Sequence, residues 1–443
     1  MHATGEKALS VGVPGLNEER SATARLVLLH DRAGKVLALL PAAALLDLNR
    51  LCQLAGRELQ PVKAEDTRRF FEQPALATAA GREQLFTLPL LLDEALPASA
   101  LSCQEPYSGW QCLLSALPAH ERVLKGRFGS TPQVPAQVSA GLADETVINR
   151  AVERFTSVRV RQRLQDLLGL PGLSESMRTI VQLRSNPDAG VDDLVPVVKR
   201  DPSLSAQVMG WASSPYYAAP GKVRSIEDAV IRVLGFDLVI NLAVGVAMGK
   251  VLSLPEDTPR GSVYYWDQAI STATLCELLA RKSSLDERPR PGLAYLAGLL
   301  HNFGYLVLGH LFPPHFSRLS RYIEANPHLE QQQVEQEILH VTREQIGGWV
   351  LDNWKLPDEV CAAVRFQQVP EQAGEHDTYA QILYLASRLL RVEGLSDGPR
   401  VAVPAVLPAQ LGLTAEQVEA AVATVKAQAE ELAQLSRLFD QAS

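Results

Sequence analysis

The chain has 443 residues, of which 47% are hydrophobic and 21% are charged, and its formal net charge at pH 7 is −8. This length and composition predict two or three domains that each bury a core. The negative charge excludes a strongly basic nucleic-acid-binding protein, although a local basic groove is compatible with it. The sequence has no run of about 18 apolar residues, so we expect no membrane span.

The five cysteines form no CxxC pair and stand at Cys52, Cys103, Cys112, Cys276 and Cys361. An odd number of widely spaced cysteines is typical of reduced, buried thiols in the cytosol. The segment Met1–Glu19 lacks the basic start and apolar core of a signal peptide. We therefore expect a cytoplasmic protein.

Residues 1–20 are polar and are expected to form a flexible tail. Two apolar runs, Ala24–His30 and Lys35–Pro41, flank the polar stretch Asp31–Gly34, which predicts a β-hairpin. Helices are expected over Leu45–Leu54 and Ala64–Phe71, and a strand over Thr87–Asp93. Residues 21–125 are thus predicted to form a mixed α/β domain, and residues 126–145, which are mostly small and polar, a linker.

After residue 145 strand signals vanish and apolar residues recur at helical spacing. Helical stretches are expected over residues 145–168, 191–199, 204–212, 225–233, 264–281, 292–310, 329–354 and 378–390. Thr414 and Gln417 form a capping-box pattern that predicts the start of a last helix. The predicted fold class is multidomain α+β, with an all-α domain at 146–390 and a C-terminal helical extension at 391–443.

Ordered motifs of the helical half carry a family resemblance. They are Leu170-Pro171, Asn186-Pro-Asp188, Lys199–Leu204, Ser225–Val230, Leu234-Gly235, Ala297–Gly304, Gly347 and Trp354–Pro357. With them, residues 165–390 resemble the HDOD domain, a bacterial relative of the HD-type metal phosphohydrolases. The resemblance implies a helical signalling output module that binds proteins or a ligand.

HD enzymes hold divalent metals with His and Asp side chains, which activate a water toward phosphate. In the alignment that this resemblance implies, the chain retains His301, but it has Asn302 where an Asp is the signature and Arg343 where a His is usual. It also places Gln268, the pair Gln367 and Gln368, and Ser387 at positions that often carry His, His and Asp. An amide is a weak ligand and a fixed cation repels a metal. We therefore expect no catalytic residues, no metal and no cofactor, with His301 buried and satisfied by the backbone.

The N-terminal part resembles the YbaK/prolyl-tRNA-synthetase-associated editing domain, which hydrolyses mischarged aminoacyl-tRNA. This resemblance rests on Leu26–Pro41, Leu46–Leu48, Leu54–Arg57 and Leu90–Leu96. The family's pocket lysine is absent near Ala24-Arg25, and only Gly81 echoes its Gly-rich loop. Arg25, Arg57 and Lys63 are candidate RNA contacts, and the alternative is that the basic residues form a solvated helix face.

The sequence thus predicts a non-catalytic bacterial signal-transduction protein whose partners are signalling proteins or a small ligand in a cleft between the domains. Two alternatives stay open. One is an aminoacyl-tRNA trans-editing deacylase with tRNA as the partner of the N-terminal domain. The other is a metal-dependent phosphohydrolase that uses His301.

Overall fold

The computed structural model describes residues 22–132, 142–154, 164, 175–186, 188–217, 222–252, 255 and 257–440. The chain divides into two compact units. Unit 1 contains residues 1–135, 257–262 and 317–338, and unit 2 contains residues 136–256, 263–316 and 339–443. The predicted tail and residues 133–141 of the predicted linker lie outside the described residues. The predicted domain boundaries follow chain order, whereas unit 1 also includes two segments from the helical half.

Unit 1 is built around a mixed sheet. Its strands are Ala22–Asp31 (β1), Gly34–Pro41 (β2), Leu45–Leu46 (β3), Gln60–Pro61 (β4), Leu90–Asp93 (β5), Leu101–Gln104 (β6), Gln111–Leu114 (β7), Val123–Gly126 (β8) and Gly129–Ser130 (β9). In the described residues the main sheet has the order β7-β6-β1-β2-β5-β8, with β4 also paired to β1, and β3 pairs with β9. Strand β1 is antiparallel to β2 but parallel to β6. The expected mixed α/β character of this region is confirmed.

The predicted hairpin is formed by β1 and β2. Ala24 pairs with Pro41 at its open end, and Asp31 pairs with Gly34 at its turn. Gly34 has φ +123°, a backbone conformation that residues with a side chain rarely adopt. The Asp31 carboxylate accepts hydrogen bonds from Ala33 N at 2.8 Å and from Arg57 Nε at 2.8 Å. The bond from Arg57 is the largest cause that lowers the pKa of Asp31 to about 2. The turn is therefore closed by its own carboxylate and by one basic side chain.

The helices of unit 1 before residue 135 are Leu48–Ala55, Ala64–Phe71 and Ala79–Leu85, with a 3₁₀ turn at Pro74–Ala77. The expectation that the first of these begins at Leu45 is wrong, because Leu45–Leu46 pairs with β9. Asp47 is the N-cap instead, and its carboxylate accepts from Asn49 N at 3.0 Å. Strands β6, β7 and β8 were not expected, since runs of four residues carry little periodic signal.

Asn326 connects the strand region of unit 1 to its later segment, residues 317–338. Its side chain is 1% exposed. The oxygen accepts from Leu46 N at 2.7 Å and from the Arg25 guanidinium at 3.0 Å. The amide nitrogen donates to Leu46 O at 3.2 Å and to Tyr322 O at 2.9 Å. Arg25 also donates to Ala325 O at 2.7 Å. These hydrogen bonds attach residues 317–338 to the strand region of unit 1.

Unit 2 consists of helices in its described residues. They are Leu142–Arg154, Glu175–Ser185, Val191–Arg200, Pro202–Ala212, Ile226–Asp228, Ala229–Leu234 (a π-helix), Phe236–Val251, Tyr265–Lys282, Pro291–Leu300, Phe303–Leu311, Arg343–Asn353, Asp358–Phe366, Asp377–Val392, Leu407–Gln410, Ala415–Ala427 and Ala429–Asp440, with 3₁₀ turns at Pro215–Tyr217, Pro370–Gln372 and Gly374–His376. Two further helices, Pro313–Ala325 and Gln331–Leu339, belong largely to unit 1. The expected all-α character of the C-terminal region is confirmed.

Two of the expected long helices are divided. The stretch 292–310 breaks at His301 and Asn302, and the stretch 329–354 breaks near His340, which has φ +58°. The predicted capping box at Thr414 is confirmed, since Gln417 N donates to the Thr414 hydroxyl at 3.3 Å and Thr414 N donates to the Gln417 side chain at 2.9 Å. The helices that follow bring Phe439 onto Trp266, with ring centroids 4.6 Å apart.

One helical stretch among the described residues, Pro291–Leu311, is apolar and long enough to cross a membrane by composition and length alone. However, 89% of its most apolar window is buried inside the protein. It therefore has the burial of a core helix.

We expect Asn326→Ala to destabilise the protein by about 2–4 kcal/mol, because it leaves several buried backbone and guanidinium groups without their partner. Urea unfolding followed by circular dichroism measures the change. Asn49→Ala is the control, since Asn49 is exposed, and it should stay within about 0.5 kcal/mol of the parent. Equal effects of the two substitutions would contradict the role assigned to Asn326.

Candidate functional site

The candidate site lies in unit 2 where helix Pro291–Leu300 ends and helix Phe303–Leu311 begins. Both helices are almost entirely buried. Glycines allow their close packing: a Cβ at Gly298 would lie 2.6 Å from Ala273 Cα, and one at Gly304 would lie 1.8 Å from Arg343 O. The two glycines of the Ala297–Gly304 motif therefore serve close backbone approach, and the two polar residues between them stand at a helix junction.

His301 follows the last helical residue and is 7% exposed. Its Nδ1 contacts Gly298 O at 2.7 Å, which makes Nδ1 the protonated nitrogen. Burial, together with the charges of Arg343 and Arg391, lowers the pKa of His301 to about 4, although the hydrogen bond to Gly298 O acts in the opposite direction. The imidazole is therefore neutral at pH 7 and donates to a carbonyl of the preceding turn, as expected from the sequence.

Asn302 and Arg343 bind each other inside unit 2. The Arg343 guanidinium donates to Asn302 Oδ1 at 2.8 Å and lies 4.8 Å from the ring centre of Tyr305. Both polar side chains are less than 10% exposed. Arg343 is held there because Thr342 caps helix Arg343–Asn353 and Gln345 completes the capping box. The residue that replaces the signature Asp thus meets the one that replaces a His.

Gln367 belongs to the same cluster. Its amide nitrogen donates to His301 O at 2.7 Å and to Val364 O at 3.0 Å. The last carbonyls of a helix have no partner within the helix. Gln367 therefore satisfies carbonyls at the ends of two helices at once.

The remaining predicted positions have separate partners. Gln368 Oε1 accepts from the buried Arg388 guanidinium at 3.0 Å, and the Ser387 hydroxyl donates to Tyr384 O at 3.1 Å. Gln268 Nε2 donates to Val263 O at 2.8 Å and to Asp397 Oδ2 at 2.8 Å. The structure thus brings together His301, Asn302, Arg343 and Gln367. The side chains of Gln268, Gln368 and Ser387 instead make separate contacts in unit 2.

Sequence reasoning missed Asp397. Burial raises the pKa of this carboxyl, and the charges of Arg343 and Arg391 oppose the rise. Its Oδ1 accepts from Val263 N at 3.0 Å. Asp397 lies beyond the helix that was expected to supply the last Asp. The Asp397-Gly398 turn, with Gly398 at φ +122°, is the local signal that marks this position.

The donor set of the cluster does not suit a divalent metal. Among the described residues, no group of three or more His, Cys, Asp or Glu side chains is arranged to hold one. The positions that the resemblance aligns with metal ligands carry amides that are already hydrogen-bonded to backbone, to Asp397 or to a guanidinium, and the Arg343 guanidinium, which is bonded to Asn302. A fixed cation beside His301 opposes metal binding electrostatically. The arrangement can support helix ends.

The candidate RNA contacts lie in unit 1. Arg25 is 2% exposed and bonded to Ala325 O and Asn326, and burial lowers its pKa to about 9. Arg57 pairs with Asp31 at the hairpin turn. Lys63 is exposed and precedes helix Ala64–Phe71. Arg25 and Arg57 therefore carry structural contacts, and RNA binding by these residues stays a prediction.

Gly81, expected in a loop before a strand, lies inside helix Ala79–Leu85. A Cβ on it would lie 1.9 Å from Ala75 O. This glycine is accounted for by close packing against the preceding 3₁₀ turn.

The family model of the HDOD domain matches residues 170–370. A crystal structure from Marinobacter aquaeolei VT8, of a protein whose proposed role is signal transduction, is 36% identical and superposes with a TM-score of 0.81. That match covers 96% of this chain and 95% of the Marinobacter chain.

Two further relatives are more distant. An HDOD domain protein of unknown function from Geobacter sulfurreducens is 20% identical with a TM-score of 0.50, covering 64% of this chain and 98% of that one, which shows the fold alone. An uncharacterized protein of Treponema pallidum (strain Nichols) is 26% identical over 234 residues, which are 52% of this chain and 44% of the relative's length. Because the family model matches residues 170–370 and the Marinobacter relative, at 36% identity, matches nearly the whole length, the chain belongs to the HDOD domain family.

Proposed function

We propose that this protein is a non-catalytic signal-transduction protein that acts by binding, and that its former HD metal site is a structural junction. Membership in the HDOD family and the similarity to the Marinobacter protein support a regulatory role. The main support for a non-catalytic role is the buried hydrogen bond, 2.8 Å long, that the Arg343 guanidinium donates to Asn302 Oδ1.

Positive charge at the cluster opposes metal-dependent hydrolysis. A metal hydrolase needs anionic and neutral ligands that leave an open position for water. Here the residue at the signature Asp position is a neutral amide whose oxygen is taken by a guanidinium. His301 supplies a neutral imidazole, but its neighbours Arg343 and Arg391 add positive charge to its surroundings. Binding a dication would require displacing or neutralising these groups.

The alternative of aminoacyl-tRNA deacylation stays open and concerns unit 1. The mixed sheet is compatible with it, but Arg25, at the position nearest to the pocket lysine, is bonded within the unit. Signalling partners, a small ligand and tRNA remain predictions, as does the cytoplasmic location.

We expect the purified protein to bind no stoichiometric Mn, Fe, Mg or Zn, as measured by elemental analysis and by calorimetric titration. Asn302→Asp should not create a site, because Arg343 would pair with the new carboxylate. Neither protein should hydrolyse p-nitrophenyl phosphate when metal is added. One equivalent of bound metal that is lost in His301→Ala would contradict the proposal.

The neutral state of His301 predicts a pH dependence. The unfolded chain takes up a proton near pH 6.5, whereas the folded protein keeps the imidazole neutral down to about pH 4. Protonation therefore favours unfolding, so stability is lost as pH falls through this window, by about 3 kcal/mol at most.

His301→Asn keeps a donor for Gly298 O but does not titrate, so its unfolding free energy should lose less than that of the parent between pH 6.5 and 4. Chemical unfolding at a series of pH values measures this difference. His30→Asn, at the end of β1, should follow the parent curve. Superimposable curves for the parent and His301→Asn would show that His301 has no such role.

A deacylation assay with mischarged tRNA separates the two non-metal hypotheses. We expect no hydrolysis above the rate without protein, because the Arg25 guanidinium holds Ala325 O and Asn326 and is not available for a phosphate. Lys63→Ala should leave this background unchanged. Hydrolysis that Lys63→Ala reduces would support the editing alternative.

A further inference from the structure

Two cysteines of unit 1 face each other across adjacent antiparallel strands. Cys103 lies in β6 and Cys112 in β7, and the strand register makes them direct partners. Both are free thiols. Cys103 belongs to the apolar core of unit 1, and Cys112 packs against the same core. The two side chains therefore point to the same face of the sheet.

The backbone spacing suits a disulfide. Glu105 N donates to Trp110 O at 2.8 Å, which makes Glu105 and Trp110 a hydrogen-bonded pair of the ladder. Hydrogen-bonded pairs alternate with non-bonded pairs, so Cys103 and Cys112, two residues further along each strand, are of the same kind. Such pairs have Cα atoms about 5.5 Å apart, within the range of about 4.4–6.8 Å found in disulfides. The Cα spacing thus allows a disulfide, and forming it requires the Cβ atoms, about 5.5 Å apart in such pairs, to approach to about 3.5–4.5 Å.

The two thiols differ in access and in acidity. Cys103 is 0% exposed, whereas Cys112 is partly exposed. In the described sheet, β7 pairs only with β6, so Cys112 lies on an edge strand. The contact with Cys103 lowers the pKa of Cys112, helped by the charge of Arg82, and the same contact raises the pKa of Cys103. Cys112 is therefore the thiol that ionises first and that a solvent oxidant reaches first.

We propose that Cys103 and Cys112 form a reversible redox site that hydrogen peroxide converts to an intramolecular disulfide. The Cys112 thiolate attacks one peroxide oxygen, the O–O bond breaks, and protonation of the released hydroxide gives water. The Cys103 sulfur then attacks the sulfenic acid on Cys112, the S–O bond breaks, and a second water leaves. The thiols lose two electrons and the peroxide gains them. A dithiol reductant reverses the change by thiol–disulfide exchange.

The test uses the full-length reduced protein and one equivalent of hydrogen peroxide. After free thiols are alkylated, non-reducing digestion and mass spectrometry should show one linked peptide that contains Cys103 and Cys112. Two of the five thiols should be lost to alkylation and regained with dithiothreitol. Cys112→Ser should abolish the link. Cys103→Ala, which keeps the core apolar, should leave a sulfenic acid on Cys112 that dimedone traps.

Cys52→Ser is the matched control. Cys52 is also a partly exposed thiol of unit 1, but its Sγ contacts Leu59 O at 3.4 Å. This variant should form the Cys103–Cys112 link at the parent rate. Absence of the linked peptide from the parent protein, a link between two chains, or faster oxidation of Cys52 than of Cys112 would overturn the proposal.

Discussion

A helix that ends inside a packed core leaves carbonyl groups that water cannot reach, and these groups need partners. The junction of Pro291–Leu300 with Phe303–Leu311 imposes this requirement on unit 2. The imidazole of His301 satisfies Gly298 O, and the amide of Gln367 satisfies His301 O. Gln367 also reaches Val364 O, at the end of another helix. His301 and Gln367, which the resemblance aligns with metal ligands of HD enzymes, therefore act here as partners for helix ends.

The same cluster holds a buried cation through protein groups alone. A guanidinium is a permanent cation whose N–H donors lie in a fixed plane. It therefore needs hydrogen-bond acceptors around it, and these need not have the geometry of metal ligands. Asn302 provides an acceptor, and the ring of Tyr305 lies against the cation. The partly buried carboxyl of Asp397 is within electrostatic reach of Arg343. A connected set of such bonds stabilises one arrangement of the helices.

Unit 1 illustrates the same physical rule with a different residue. Arg25 lies in a strand of the sheet, where a basic residue would be read from sequence as a possible phosphate contact. Its guanidinium is instead surrounded by acceptors from Ala325, Ala44 and Asn326. A buried charge is tolerated only when it is hydrogen-bonded. The later segment 317–338 supplies most of these acceptors, and this requirement is one physical reason why it is part of unit 1.

Local sequence determined much of this protein. Two apolar runs around Asp31–Gly34 specified the β1–β2 hairpin, and helical spacing of apolar residues specified the helical half. These features depend on neighbours within a few positions, which a pattern records. The degenerate metal site at His301, Asn302 and Arg343 was instead predicted from the resemblance to the HDOD domain. The strands β6–β8 were not predictable because four residues carry little periodic signal, and the meeting of Gln268 with Asp397 was not predictable because the two residues are 129 positions apart. The pairing of Cys103 with Cys112 likewise depends on strand register, and the partners of Arg25 depend on a segment about 300 positions away. Sequence therefore determined which residues are polar, apolar or at a turn, whereas only the packing of remote segments decided which buried polar groups satisfy one another.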